Sequence, residues 1–260
     1  MIGIFGGSGF YEFLDDPTEH EVDTPYGDPA APVTVGTVDG IEVAFLPRHG
    51  RGHRFPAHKV PYRANVWAMK EIGVDRIFGP SAVGSLVTDM APGHFVVCDQ
   101  LVDRTRGRDA TFFDGPETVH VSFADPYCRE LRPIAFAAAI EAGADSHDGG
   151  TVVVIEGPRF STRAESRWFA AAGWHLVNMS QYPEAFLARE LEMCYATICV
   201  VTDYDVGVEG DIPPVTHAEV LARFGESIAT LRETLRLTIP RAAETPRECE
   251  CATARGSASG

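Results

Sequence analysis

One stretch constrains the fold more than any other. From Asn178 to Asp205 the sequence NMSQYPEAFLARELEMCYATICVVTDYD reads as a polar turn, an amphipathic helix and a buried strand that ends in two carboxylates. A helix feeding a strand that finishes in polar side chains is how an α/β protein presents groups to a small ligand. The same alternation recurs along the 260 residues. Ile2 to Phe5 is an apolar run entering the turn GGSGF, and Pro32–Val38 and Ile41–Leu46 flank the hairpin signal Asp39-Gly40. YRANVWAMKEI has helical spacing over 61–72 and is closed by Gly73, after which Val74 to Phe78 reads as a strand running into GPSAVGSL. Arg129–Ala142 has helical composition, TVVVI is a buried strand opening into EGPRF, and Thr162 with Glu165 has capping-box spacing for a helix over 163–171. Trp174–Val177 and Tyr195–Val201 are further strands, Pro183–Met193 a helix, and Val215–Leu237 the last helix. With no repeat and no linker, this predicts one α/β domain over residues 1–240, built on a mixed, largely parallel central sheet flanked by helices. Residues 241–260 lose apolar periodicity, so they are expected to form a disordered tail.

Composition excludes several functions. The net charge of −15 argues against a nucleic-acid partner and against a polybasic membrane patch. The N-terminus MIGIFGGSGF lacks the pattern of a secretory signal, and no segment approaches about 20 uninterrupted apolar residues, so a cytoplasmic protein is expected. Of six cysteines, Cys98, Cys128, Cys194 and Cys199 sit singly in apolar surroundings, the habit of reduced core thiols. Cys249 and Cys251 form a C-x-C near the end. With no second ligand pair nearby in the sequence, it reads as structural or accidental, and no metal is expected.

Two regions carry candidate chemistry. In GGSGF, glycines admit an anion close to the backbone and Ser8 adds a hydroxyl, although an ordinary tight turn reads equally well. In PRHGRGHRFPAHKV, Arg48, His49, Arg51, His53, Arg54, His58 and Lys59 crowd one loop of an otherwise acidic chain. An arginine fork there suits an anion, and a solvated loop paired with surface acids is the alternative. GPSAVGSL offers Ser81 for the same anion. Asp203 and Asp205 are either a ligand-binding pair or a strand-end turn, and Phe160 is either core or a platform for a ring.

Taken together, GGSG, DTPYG at 23–27, RHGRGH at 48–53, YRANVWAMKEIG, EGPRFSTRAE at 156–165, NMSQYPEA at 178–185 and TDYD carry a resemblance from Ile2 to about Pro240. The chain resembles the purine nucleoside phosphorylase and methylthioadenosine phosphorylase family of the trimeric type. The resemblance implies phosphorolysis, in which inorganic phosphate attacks the anomeric carbon of a purine nucleoside, with no metal, cofactor or covalent intermediate. It assigns Ser8, Arg48, His49, Ser81, Ala82 and Ser180 to phosphate. Met179 goes to ribose, Phe160 to sugar or base, and Asp203, Tyr204 and Asp205 to the purine, the two aspartates being catalytic. Ser161 and Asp203 resemble members that take 6-aminopurines, which favours methylthioadenosine. His217 instead matches purine nucleoside phosphorylases that bind a 5'-hydroxyl, so a broader enzyme for adenosine, inosine or guanosine is the alternative. A non-catalytic nucleoside-binding protein is the more distant one. His120 matches a residue reaching a neighbouring subunit, which implies a homotrimer.

Overall fold

The computed structural model describes residues 1–7, 13–206, 208 and 213–256. Its architecture is α/β, with parallel ladders outnumbering antiparallel ones and helices on both sides. The strands fall into two sheets. The first contains β1 (Ile2–Gly6), β2 (Asp15–His20), β3 (Val33–Val38), β4 (Ile41–Pro47), β5 (Arg76–Phe78) and β12 (Cys194–Ala196), in the order β12-β5-β1-β4-β3-β2. The second contains β6 (Ser81–Ser85), β7 (Phe95–Val97), β8 (Gln100–Arg104), β9 (Ser146–Asp148), β10 (Thr151–Ile155), β11 (Leu176–Asn178) and β13 (Cys199–Tyr204), in the order β8-β10-β11-β6-β13-β7-β9.

The sheets join at one seam. β5 runs into β6 through Gly79-Pro80, and β12 runs into β13 through Thr197-Ile198. Pairing continues across the bend, with Gly79 N donating to Ala196 O at 2.9 Å and Ser81 N to Ile198 O at 3.1 Å. The single strand expected over Tyr195–Val201 is therefore two strands, one in each sheet. A side chain at Gly79 would collide with the Tyr195 hydroxyl, so the seam requires glycine there.

Most elements follow from local chemistry. Asp39 and Gly40 take positive φ, 49° and 78°, as a two-residue hairpin turn demands. α1 (Tyr62–Glu71) and α4 (Gln181–Glu190) pack one side of the seam through Val66, Met69, Leu187 and Ala188. α2 (Leu131–Glu141) and α6 (Ile228–Glu244) cover the other through Leu131, Ala135, Leu235 and Ile239. α3 (Arg163–Ala171) starts with the expected capping box between Thr162 and Glu165 and buries Phe169 against Val153 and Val177. β2 was not anticipated because its residues, DDPTEH, are all exposed and show no apolar alternation. Charge and a proline suit such an edge strand.

Two expectations are corrected. The last helix is two helices, α5 (His217–Glu226) and α6, broken at Ser227. α6 also carries Pro240 inside it and runs on to Glu244. The segment expected to be a disordered tail packs on the body as far as it is described. Arg76 donates to the carbonyls of Ala242 (2.5 Å) and Thr245 (2.6 Å), satisfying the end of α6. Cys249 and Cys251 are buried, and Arg255 pairs with Glu192 at 3.0 Å. These anchors come from residues distant in sequence, so the segment shows no periodicity of its own. Among the described residues, no helix is long and apolar enough to cross a membrane.

Candidate active site

The site is built at strand ends that meet beside the seam. β1 and β4 are parallel and finish together, with Gly6 opposite Pro47, and Arg48 follows at once, its N–H donating to Gly6 O at 3.0 Å. The Arg48 guanidinium is buried. Nε and Nη2 grip the two carboxylate oxygens of Glu184, on α4, at 2.5 and 2.7 Å. Nη1 reaches Pro80 O at 3.2 Å, and Nη2 also reaches Phe5 O at 3.3 Å. These bonds use four of the five N–H groups of a guanidinium, leaving one on Nη1 without a partner among the described residues. Glu184 is held in turn by the Tyr195 hydroxyl at 2.7 Å, the group that Gly79 makes room for. Burial opposes the charge on Arg48, but Glu184 outweighs it and the guanidinium pKa is raised.

His49 is next along the loop. Burial first, then the charge of Arg48 and then His53, push its pKa down to about 3, so the ring is neutral at pH 7. Phe55 O lies 2.9 Å from Nδ1. A carbonyl only accepts, so the proton sits on Nδ1 and Nε2 is left as an acceptor. The ring stacks on His53 at 4.2 Å between centroids, and His53 lies 5.5 Å from His217, the first residue of α5. The structure thus brings His217 to the loop that carries Arg48.

Asn178, at the end of β11, gathers the remaining polar groups. Its Oδ1 accepts from the N–H groups of Ser180 (2.7 Å) and Gln181 (2.9 Å), and its Nδ2 donates to Ala82 O at 3.1 Å. Gln181 Nε2 donates to Ser81 Oγ at 3.2 Å. Ser81, Ala82 and Ser180 are thereby fixed near one another, and the Ser180 hydroxyl makes no capping bond to α4. Ser8 lies outside the described residues.

The two carboxylates stand at the far end of the same strands. The pairing of β13 with β6 is parallel and carries a bulge between Val201 and Asp203. Beyond it Asp203 and Asp205, two residues apart, share one face. Gly84 lies opposite Asp203, where a Cβ would come within 3.1 Å of Asp203 Oδ2 and of Val177 and within 3.7 Å of Asp205. Its missing side chain leaves room for the Asp203 carboxyl. Burial raises the Asp203 pKa to about 6; the Thr202 hydroxyl, donating at 2.7 Å, opposes the rise, while Asp205 and Glu219 add to it. Burial also raises Asp205, against the hydroxyls of Ser166 and Ser161 and the Val206 amide. Ser161 approaches without closing a hydrogen bond, because Ser161 Oγ and Asp205 Oδ2 are both buried without a partner. A buried acceptor with no donor costs about 1–3 kcal/mol, which a ligand N–H would recover.

The loop after β10 forms the side wall. Gly157 takes φ +67°, and a Cβ there would sit 2.7 Å from Met179 Sδ, so the loop lies directly on Met179. Arg108 clamps it, donating to Glu156 O at 2.8 Å and to Tyr182 O at 2.6 Å. Phe160 on this loop is 38% exposed and is not a core residue.

Two candidates do not join this group. Tyr204 points to the opposite face of β13 from the aspartates, as strand alternation requires, and its hydroxyl donates to Thr88 O at 3.1 Å. His120 is exposed on the loop between β8 and α2, away from any described site residue's hydrogen bonds. Glu184, Asn178, Gln181 and Tyr195 were not picked out from the sequence as site residues. A glutamate and a glutamine in a helix buried nearly all round are the signal that finds the first and third. A cleft of about 250 Å³ lined by Arg104, Arg106, Glu156, Arg159 and Trp168 touches the outside of the same loop but holds neither aspartate.

Known proteins are similar to this chain in sequence and fold. The profile of the phosphorylase superfamily matches residues 1–239. The chain belongs to the phosphorylase superfamily. Within it, the chain is 57% identical to an S-methyl-5'-thioadenosine phosphorylase of Mycobacterium tuberculosis, over 94% of this chain and 90% of that one. It is 50% identical to a purine nucleoside phosphorylase of Streptomyces coelicolor, over 98% and 94%. Among solved structures, a methylthioadenosine phosphorylase from an antarctic soil metagenomic library superposes with a TM-score of 0.92 at 39% identity, covering 99% of this chain and 91% of that one. The methylthioadenosine phosphorylase of Schistosoma mansoni in complex with adenine superposes with a TM-score of 0.89 at 36% identity, covering 94% and 92%.

Proposed function

We propose that this chain catalyses phosphorolysis of 5'-methylthioadenosine, releasing adenine and 5-methylthioribose 1-phosphate. The observation that carries this reading is the carboxyl pair, Asp203 with a pKa of about 6 and Asp205 with a buried, unpartnered Oδ2. Phosphate is held by the free Nη1 donor of Arg48 and by Ser81, Ser180 and the Ala82 backbone, with Ser8 completing the cradle. A protonated phosphate oxygen donates to His49 Nε2. A phosphate oxygen attacks the anomeric carbon, the C–N bond breaks, and its electron pair moves onto the purine. Asp203, protonated, gives its proton to the ring nitrogen and becomes a carboxylate; such acid catalysis contributes about 10²–10⁴-fold. Asp205, as a carboxylate, accepts from the 6-amino group, the donor its Oδ2 lacks. Met179 packs the ribose under the loop bearing Phe160, and Phe160 flanks the ring.

The reaction uses no organic cofactor, with phosphate as co-substrate. The relatives named for methylthioadenosine support this substrate. A second reading, a broader purine nucleoside phosphorylase in which His217 binds a 5'-hydroxyl, is supported by the approach of His217 to within 5.5 Å of His53 on the loop that carries Arg48. The relative named purine nucleoside phosphorylase supports it too. The enzyme is read as a cytoplasmic homotrimer, with His120 on the surface offered to a neighbouring subunit. Purified protein with phosphate, offered methylthioadenosine, adenosine and inosine while free base is followed, separates the readings. Fastest release from methylthioadenosine is expected. Preference for inosine contradicts the aminopurine assignment, and no release from any of them contradicts enzymatic function.

A further inference from the structure

Four cysteines meet on the side of the fold away from Asp203. Cys249 and Cys251 come from the C-terminal segment, Cys128 from the turn before α2 and Cys194 from the start of β12. All four are buried, and their sulfurs lie within 4.8 Å of one another, with Cys194 and Cys249 at 3.2 Å. No two of them are bonded as a disulfide. The C-x-C thus has its second ligand pair, which lies far away in sequence and was invisible to spacing. For want of this pair, the motif reads from sequence alone as structural or accidental.

We propose that these four thiolates form a structural zinc site that fastens the C-terminal segment to the body of the enzyme. Zinc–sulfur bonds of about 2.3 Å arranged tetrahedrally place sulfurs roughly 3.8 Å apart, inside the spread seen here. An all-sulfur tetrahedral set selects zinc or iron over magnesium and calcium, and four protein ligands leave no open position for chemistry. The surroundings supply what thiolates need. Arg247 Nε donates to Cys194 Sγ at 3.4 Å, and the Leu131 N–H at the start of α2 donates to Cys128. A disulfide sulfur would carry no charge for either donor to meet. Arg247 also bonds Glu192 O, and Arg129 pairs with Glu250 at 3.3 Å across the outside of the cluster. The segment buries little apolar area apart from these cysteines and Ala254, so a metal cross-link to Cys128 and Cys194 accounts for its packing.

The full-length protein, purified without chelators from zinc-supplemented medium, is expected to contain about one zinc per chain. Reduced protein stripped of metal and loaded with Co(II) should show the thiolate-to-cobalt and visible d–d bands of a tetrahedral CoS4 centre. Cys249→Ser/Cys251→Ser should lose both metal and bands and lower Tm by about 5 °C or more, while kcat below Tm stays within about twofold. Less than about a tenth of an equivalent of zinc together with no cobalt spectrum overturns the proposal. So does iron in place of zinc, or an unreduced mass lighter by the hydrogens of one or two disulfides. Metal retained by the double variant excludes these residues as the ligands. The metal measurements on the wild-type protein stand even if the variant fails to fold.

Discussion

The two ends of the active site are built on opposite principles. At the phosphate end, Arg48 is buried and four of its five N–H groups are bonded, to a bidentate carboxylate with a tyrosine behind it and to two carbonyls. At the purine end, Asp205 is buried with its Oδ2 unpartnered, and the half-buried Asp203 accepts from the neighbouring Thr202 hydroxyl. A charge held by several partners is rigid and keeps its protonation state, which suits a group that must only position an anion. An under-satisfied carboxyl is held close to its neutral form and can exchange a proton, which suits a leaving-group acid. Both ends rest on a missing side chain, at Gly79 for the first and Gly84 for the second.

The largest expected effect breaks the phosphate end. Glu184→Ala leaves a buried guanidinium without its counter-ion and should destabilise the fold by about 3–5 kcal/mol, read as a shift of the urea midpoint. Phosphate affinity should fall with it. A shift below about 1 kcal/mol would show that Arg48 does not depend on Glu184.

At the other end, stability and activity should move apart. Asp203→Asn removes the proton donor and should lower kcat by about 10²–10⁴-fold. It should also stabilise the protein. The Asp203 pKa is raised from 3.8 to about 6, so the neutral carboxyl favours the native state below pH 3.8, and that advantage is lost as pH rises through about 6. The asparagine variant should therefore match wild type near pH 4 and exceed it by about 2–3 kcal/mol at pH 8, measured by denaturant unfolding at both values. No difference at pH 8 would place Asp203 in a more solvated setting.

Gly84→Ala sharpens the comparison, because its Cβ presses on Asp203 and Val177 only. A shift of a few tenths of an ångström should reduce kcat/KM for the nucleoside by about tenfold and leave the KM for phosphate unchanged. A raised phosphate KM would mean that the two ends are mechanically coupled. The smallest effect is expected at Tyr204→Phe, which should change kcat/KM by less than about twofold, because only the bond to Thr88 O is lost.

These contrasts also explain what was legible in the sequence. Hairpin, capping box, helices and the strand ending in Asp203 and Asp205 could be read because each rests on local pattern. Arg48 and His49 stood out as a basic cluster in an acidic chain. Glu184 and Tyr195 did not, because their roles exist only where β5 and β12 cross between the sheets. The direction of Tyr204 depended on the bulge after Val201, which has no local signature. The C-terminal segment was misread for the same reason, since Arg76, Cys128 and Cys194 organise it from more than 50 residues away.

The central claim is that Asp203 is the acid that protonates the departing purine. It is tested most directly by the pH dependence of kcat/KM for methylthioadenosine at saturating phosphate, in wild type and Asp203→Asn. The account predicts a wild-type rate that falls as pH rises through about 6, where Asp203 loses its proton, and no such limb in the variant's residual activity. The same limb in both proteins, or none in wild type, would contradict it.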